Sequence, residues 1–191
     1  YTARQLLQLF DRAYGHYRPG AMAWERKAAA GLADPFRPLI EPDGFASVDA
    51  LVEARRVHFA AVRHMFETLD CFVFTLGLTE AWYDLADGAV FPLAPGVVAG
   101  EFDPSRFGFA NFRVADIVAD MTGFIERLRN VNPRSKLVLT VSPVPLMATA
   151  ENRHVLTSTT YSKSVLRVAA DELCQQHRDV FYFPSYEIII G

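Results

Sequence analysis

One recurrence constrains this chain more than any other feature: a short apolar run, a polar loop, then a segment with helical periodicity. Cys71 to Leu76 (Cys-Phe-Val-Phe-Thr-Leu) is a continuous apolar run of strand length, the pattern of a strand buried on both faces. Lys136 to Val141 reads as a second buried strand, and Val180 to Phe183 as a third. Between the first two, Val114, Ile117, Val118, Met121, Ile125 and Leu128 make the cleanest amphipathic helix in the sequence, and Asn132-Pro133 stops it. A further helix is predicted over 161–176. Strands alternating with helices imply an α/β fold: a parallel sheet, helices on both faces and right-handed crossovers. Ligands in such sheets bind beyond the carboxyl ends of the strands. The polar stretches 77–84 and 142–160 are therefore the places to look for function.

The rest of the chain is less regular. Thr2 and Gln5 have capping-box spacing ahead of Leu6, Leu7, Phe10 and Tyr14, and Gly15 ends that helix. Residues 21–46 carry Asp34-Pro35-Phe36-Arg37-Pro38 and Glu41-Pro42-Asp43-Gly44, which read as an ordered loop. Ser47 is placed to cap a long helix over 47–69. A hairpin near Val90-Phe91-Pro92 and a short strand at Phe107 to Phe112 are also expected.

At 191 residues, 51% of them hydrophobic, the chain is long enough for one domain with a substantial core. Its net charge of −3, without a basic cluster, argues against nucleic acid as a partner. No apolar run is long enough to span a bilayer and no signal peptide opens the chain, so neither a membrane partner nor export is expected, and the cytoplasm is the predicted location. Two cysteines, Cys71 and Cys174, fit neither a disulfide framework nor a zinc site and are expected to be buried thiols. Phosphate-loop, dinucleotide-fingerprint and zinc-protease motifs are lacking, so no cofactor or metal is expected. Because Tyr1 abuts a helical pattern and the chain stops just after Ile188-Ile189-Ile190, the sequence reads as one domain trimmed at both ends.

Candidate site residues come from the two polar stretches. Gly77, in Thr75-Leu76-Gly77-Leu78-Thr79-Glu80, lets backbone N–H groups approach a ligand, and Thr79 can add a hydroxyl donor, as an oxyanion hole requires. The alternative is a turn glycine followed by a helix cap. Glu151-Asn152-Arg153-His154 sets an acid three residues before a histidine, which is either a general-base pair or two solvated side chains. His58 and His64 point to different helix faces and suit no metal, while His16 and His177 sit at helix ends. Lys163 is placed at the start of the helix over 161–176, where the dipole does not favour it, so it either faces the loops or lies exposed. Ser142, in Ser142-Pro143, has no nucleophile-elbow surroundings. Trp82 and Tyr83 either line a pocket for a ring or sugar or pack in the core.

Several of these stretches occur together in order. Thr75-Leu76-Gly77-Leu78-Thr79-Glu80-Ala81-Trp82, Val141-Ser142-Pro143-Val144-Pro145-Leu146, Tyr161-Ser162-Lys163-Ser164-Val165-Leu166-Arg167 and Tyr182-Phe183-Pro184-Ser185-Tyr186-Glu187, with Asp34-Pro35-Phe36-Arg37-Pro38, resemble the bacterial GSCFA family. That family is similar to the SGNH (GDSL-like) hydrolases, which cleave or transfer acyl esters with a Ser-His-Asp triad. The resemblance implies a flavodoxin-like three-layer α/β/α fold and esterase or acyltransferase activity on an ester-linked acyl group, with a small molecule or glycan as substrate. The Gly-Ser-Cys-Phe-Ala stretch that names the family is not in this sequence, so the resemblance places the nucleophile before Tyr1 and the triad histidine after the last strand. Gly77-Leu78-Thr79 matches the superfamily's Gly-x-Asn block, with Thr where Asn donates. On this reading Gly77 and Thr79 stabilise the oxyanion, and Glu80, Trp82, Ser142, His154, Lys163 and Arg37 are the candidates for substrate contact. A non-catalytic module that recognises a carbohydrate or a partner through Trp82, Tyr83 and Arg37 is the alternative on the same fold.

Overall fold

The computed structural model describes residues 1–27 and 30–191. The elements in chain order are α1 (Ala3–Ala13), β1 (Trp24–Glu25), β2 (Leu32–Ala33), α2 (Val48–Thr68), β3 (Cys71–Leu76), β4 (Glu80–Asp84), β5 (Val90–Phe91), β6 (Phe107–Asn111), α3 (Val114–Val131), β7 (Lys136–Val141), α4 (Val155–Gln176), β8 (Val180–Tyr182) and α5 (Ser185–Ile190). They fall into two compact units: Tyr1–Leu7, Met65–Glu80 and Asn111–Gly191 form the first, and Gln8–His64 with Ala81–Ala110 the second.

The first unit is built on a three-stranded sheet in the order β3-β7-β8. All pairings are parallel, with Cys71 opposite Lys136 and Leu137 opposite Val180. Phe72, Leu137 and Val180 thus share one face, which α3 and α4 cover. Phe124 of α3 packs against Phe72 and Phe66 with ring centroids 5.5 Å apart in each case. Leu166, Ala169, Ala170 and Leu173 of α4 are buried, and the two alanines suit the close approach of a helix to its neighbours. The fold is α/β with a parallel sheet flanked by helices, as the alternation requires. Asn132 ends α3, its backbone N–H bonded to the Leu128 carbonyl and its side chain donating to the carbonyls of Phe66 and Leu69.

The opposite face of the sheet departs from expectation. Instead of being buried on both sides, β3 alternates: Cys71 and Thr75 are exposed and Val73 is 62% exposed. Phe181, in register with Val138 on that face, is 49% exposed. A continuous apolar run does not distinguish a strand covered twice from one covered once. Cys71 is accordingly an exposed thiol, not a buried one, and Cys174 is half-buried; both are free.

The second unit holds two antiparallel sheets. The ordered loop expected at 21–46 contains a small ladder, with Trp24 opposite Ala33 and Glu25 opposite Leu32. The β5-β4-β6 sheet includes the expected hairpin, Trp82 opposite Phe91. Trp24, Phe36, Phe91 and Phe107 form the aromatic core, with the Trp24 and Phe91 rings 4.7 Å apart. Gly100 has φ +71°, and a Cβ there would lie 3.0 Å from the Trp24 ring, so backbone conformation and packing both require glycine. Ser47 caps α2 by accepting the Ala50 N–H, as expected, and Thr2 and Gln5 bond reciprocally at the start of α1.

Candidate functional site

The carboxyl end of β3 gathers several of the candidate residues of the first unit. β3 ends at Leu76, and the chain turns through Gly77-Leu78-Thr79 before Glu80 opens β4. Three backbone groups of this turn are engaged by other parts of the chain. Gly77 N–H donates to the Tyr1 carbonyl (3.3 Å), Lys163 Nζ donates to the Gly77 carbonyl (3.0 Å), and Phe112 N–H donates to the Thr79 carbonyl (2.8 Å). A Cβ on Gly77 would lie 3.1 Å and 3.2 Å from Tyr1 backbone atoms, so here the glycine permits close approach of another backbone segment. The Gly77 N–H, expected to face an oxyanion, is engaged by protein in this structure.

Thr79 is fully buried (0% exposed), and its hydroxyl has no hydrogen-bond partner. A buried unpaired hydroxyl is costly, and a catalytic role is one of the explanations for a protein keeping such a group. The helix cap offered as the alternative is not formed, because β4 follows instead. Glu80 is an anchor: its Oε1 accepts from Thr149 Oγ1 (2.6 Å) and its Oε2 from Ala150 N–H (3.4 Å). Those bonds tie the loop after β7 to the loop after β3. Asn111 Nδ2 holds the same loop one residue further on by donating to Glu151 Oε1 (3.0 Å).

Glu151 and His154 are not brought together. His154 is the N-cap of α4, its Nδ1 accepting the Leu156 N–H at 3.2 Å. The helix therefore begins at Val155 and not near 161. Thr157, Ser158, Thr159 and Thr160 are weak helix formers that read as loop, but side-chain bonds hold them: Arg153 Nε donates to Ser158 Oγ, and Leu146 N–H donates to Thr159 Oγ1. Lys163 consequently lies well inside α4 instead of opening it, and is only 2% exposed. Burial pushes its ammonium below the usual lysine range, with no acidic side chain to offset the effect. Ser142 N–H donates to the Leu76 carbonyl at the end of β3, and its hydroxyl accepts from Val144 N–H within its own turn.

Arg37 and Trp82 belong to the second unit, and both are used internally. Arg37 Nε donates to Asp34 (3.1 Å), whose carboxylate also takes Arg55 Nη2 (2.8 Å) and the Phe36 N–H (3.0 Å). Trp82 packs on Phe102 and Phe109, ring centroids 5.1 Å and 5.3 Å away. Tyr83 lies over Gly108, where an added Cβ would meet its ring at 2.7 Å. Sequence reasoning missed the buried, unpartnered Ser162 hydroxyl and Asn111 Oδ1. Among the described residues, no group of His, Cys, Asp or Glu is arranged to hold a metal, and no helix is long and apolar enough to cross a membrane.

These features define an α/β protein whose polar side chains collect in the loops beyond the carboxyl ends of a parallel sheet. Comparison with protein families matches the GSCFA family over residues 1–191, and the chain belongs to that family. Comparison with curated proteins returns no match.

Proposed function

We propose that this chain is the scaffold and oxyanion side of a serine esterase or acyltransferase acting on ester-linked acyl groups, related to the SGNH (GDSL-like) hydrolases. The observation that carries the reading is the buried, unpartnered Thr79 hydroxyl in the turn beyond β3, where open α/β sheets bind ligands. In this scheme a serine attacks the acyl carbonyl and its proton passes to a histidine. The carbonyl oxygen becomes an oxyanion stabilised by donors of the 77–79 turn. The alcohol then leaves with the proton, and water or a second alcohol resolves the acyl-enzyme. Nucleophile and base are sought outside residues 1–191, because His154 caps α4 and Ser142 is bonded to its own turn. Glu80 acts by fixing the 149–150 segment beside the turn.

The test is a fluorophosphonate probe, with p-nitrophenyl acetate and acetylated oligosaccharides as substrates, applied to the full-length protein. Covalent labelling of one serine, together with ester turnover lost on its substitution, supports the reading. A folded full-length protein that neither labels nor turns over any of these esters refutes it.

A further inference from the structure

Two backbone donors of the turn after β3, Leu78 N–H and Thr79 N–H, have no acceptor among the described residues; Thr79 is fully buried, and Leu78 is not. Among the described residues, Leu78 N–H has no hydrogen-bond acceptor, although both sides of the peptide chain around it are tied. The Gly77 N–H is held by Tyr1, and the Gly77 carbonyl by Lys163 Nζ at 3.0 Å. The Gly77–Leu78 peptide is trans, as no cis bond occurs in the described chain. In a trans peptide, C=O and N–H point in opposite directions. A lysine fixed on the carbonyl therefore directs the Leu78 N–H away from itself, at a residue that is half-buried.

Lys163 is itself unusual. An ammonium carries three donors, yet the hydrogen bond to the Gly77 carbonyl is the one Lys163 makes among the described residues. It has no ion-pair partner among them and is almost fully buried. Burying an uncompensated cation is costly, and a neutral side chain could satisfy a single carbonyl. What only a cation does is polarise the peptide: drawing electron density to the carbonyl oxygen makes the N–H on the other side a stronger donor.

We propose that Leu78 N–H is the backbone donor that receives the carbonyl oxygen of the bound ester as it becomes an oxyanion, and that Lys163 is its positioning residue. This rests on the esterase reading above and names the donor within it. Leu78 replaces Gly77 in that role, and the Thr79 hydroxyl is its neighbour in sequence. The arrangement is preorganised, because the peptide is clamped before substrate arrives and no rearrangement accompanies charge development.

The experiment follows the Leu78 amide by NMR in 15N-labelled full-length protein while methylphosphonate, a small tetrahedral oxyanion, is added. A saturable downfield shift of the Leu78 amide proton is expected. In Lys163→Met the dissociation constant for methylphosphonate should rise about tenfold or more, the scale of one charge-assisted hydrogen bond, and Lys163→Arg should restore most of the affinity. With an ester substrate, Lys163→Met should lower kcat about tenfold while KM stays within about twofold, since the interaction strengthens in the transition state. An unmoved Leu78 amide in an enzyme that does hydrolyse esters overturns the assignment and leaves the esterase reading standing. So does a shift of equal affinity in a folded Lys163→Met protein. A Lys163-dependent Leu78 shift in a protein without ester turnover supports the oxyanion site while the esterase reading fails.

Discussion

Thr79→Val isolates one atom. The two side chains have nearly the same shape, so the exchange replaces a hydroxyl by a methyl at a position with 0% exposure. Because the Thr79 hydroxyl has no partner, the native protein carries its desolvation cost, about 1–3 kcal/mol. Removing it should therefore stabilise the first unit by about that amount, which for a domain of this size is a rise of roughly 3–10 °C in Tm. Far-UV circular dichroism is the suitable probe, because α3 and α4 belong to the first unit. Tryptophan fluorescence is blind to it, since both tryptophans, Trp24 and Trp82, lie in the second unit. If the hydroxyl assists the oxyanion, kcat of the full-length enzyme should fall on the order of tenfold, less than the loss of a complete backbone donor, and Thr79→Ser should retain activity. Stability rising while activity falls is the signature of a functional polar group. A valine variant destabilised by more than about 0.5 kcal/mol would show that the hydroxyl makes a structural bond, and an unchanged kcat would remove it from the site.

Other substitutions test the scaffold. Asp34, 1% exposed, receives Arg37, Arg55 and the Phe36 N–H; Asp34→Ala leaves two arginines uncompensated and should cost about 3–5 kcal/mol, read by tryptophan fluorescence in urea. Burial pushes the Asp34 carboxyl up, but the Arg55 hydrogen bond and charge outweigh it and hold it below the ordinary range. Its stabilisation is thus complete above about pH 3.9, the unfolded value, and lost as pH falls through the lower native one. In Asp34→Asn this part of the acid sensitivity should vanish; an unchanged pH profile refutes the assignment. Gly77→Ala presses a methyl against the Tyr1 backbone and should cost about 1 kcal/mol, and a variant as stable as wild type in thermal melts would show slack there. Residues 1–191 alone should not hydrolyse p-nitrophenyl esters above background; turnover abolished by Ser142→Ala would move the nucleophile to Ser142.

What the sequence determined by itself are the features encoded by local pattern. The three strands and their parallel order follow from apolar runs alternating with helical periodicity. Caps at Thr2 and Ser47 follow from side chains that bond nearby backbone, and the stop at Asn132-Pro133 from a proline that disfavours helix in the residue before it. Gly77, Thr79 and Glu80 were legible as a polar turn beyond a strand, because that position carries function in open α/β sheets. The depth of Lys163 was legible too, in a signal left unused: it stands three residues before Leu166, seven before Ala170 and ten before Leu173, on the stripe that α4 buries.

Only the tertiary structure decided how β3 is covered, because a run such as Cys-Phe-Val-Phe-Thr-Leu is compatible with one buried face or two, and its neighbours choose. The threonine-rich start of α4, which argued for loop, is likewise held in place by the fold. The His154 cap and the Arg153–Ser158 bond act locally, the Leu146–Thr159 bond ties it to the loop after β7, and together they outweigh weak intrinsic propensity. The engagement of Gly77 N–H by Tyr1, and of the Gly77 carbonyl by Lys163, joins residues 76 and 86 positions apart. No local pattern encodes such pairings; they exist because the parallel sheet carries β3, α4 and the first residues of the chain to the same end.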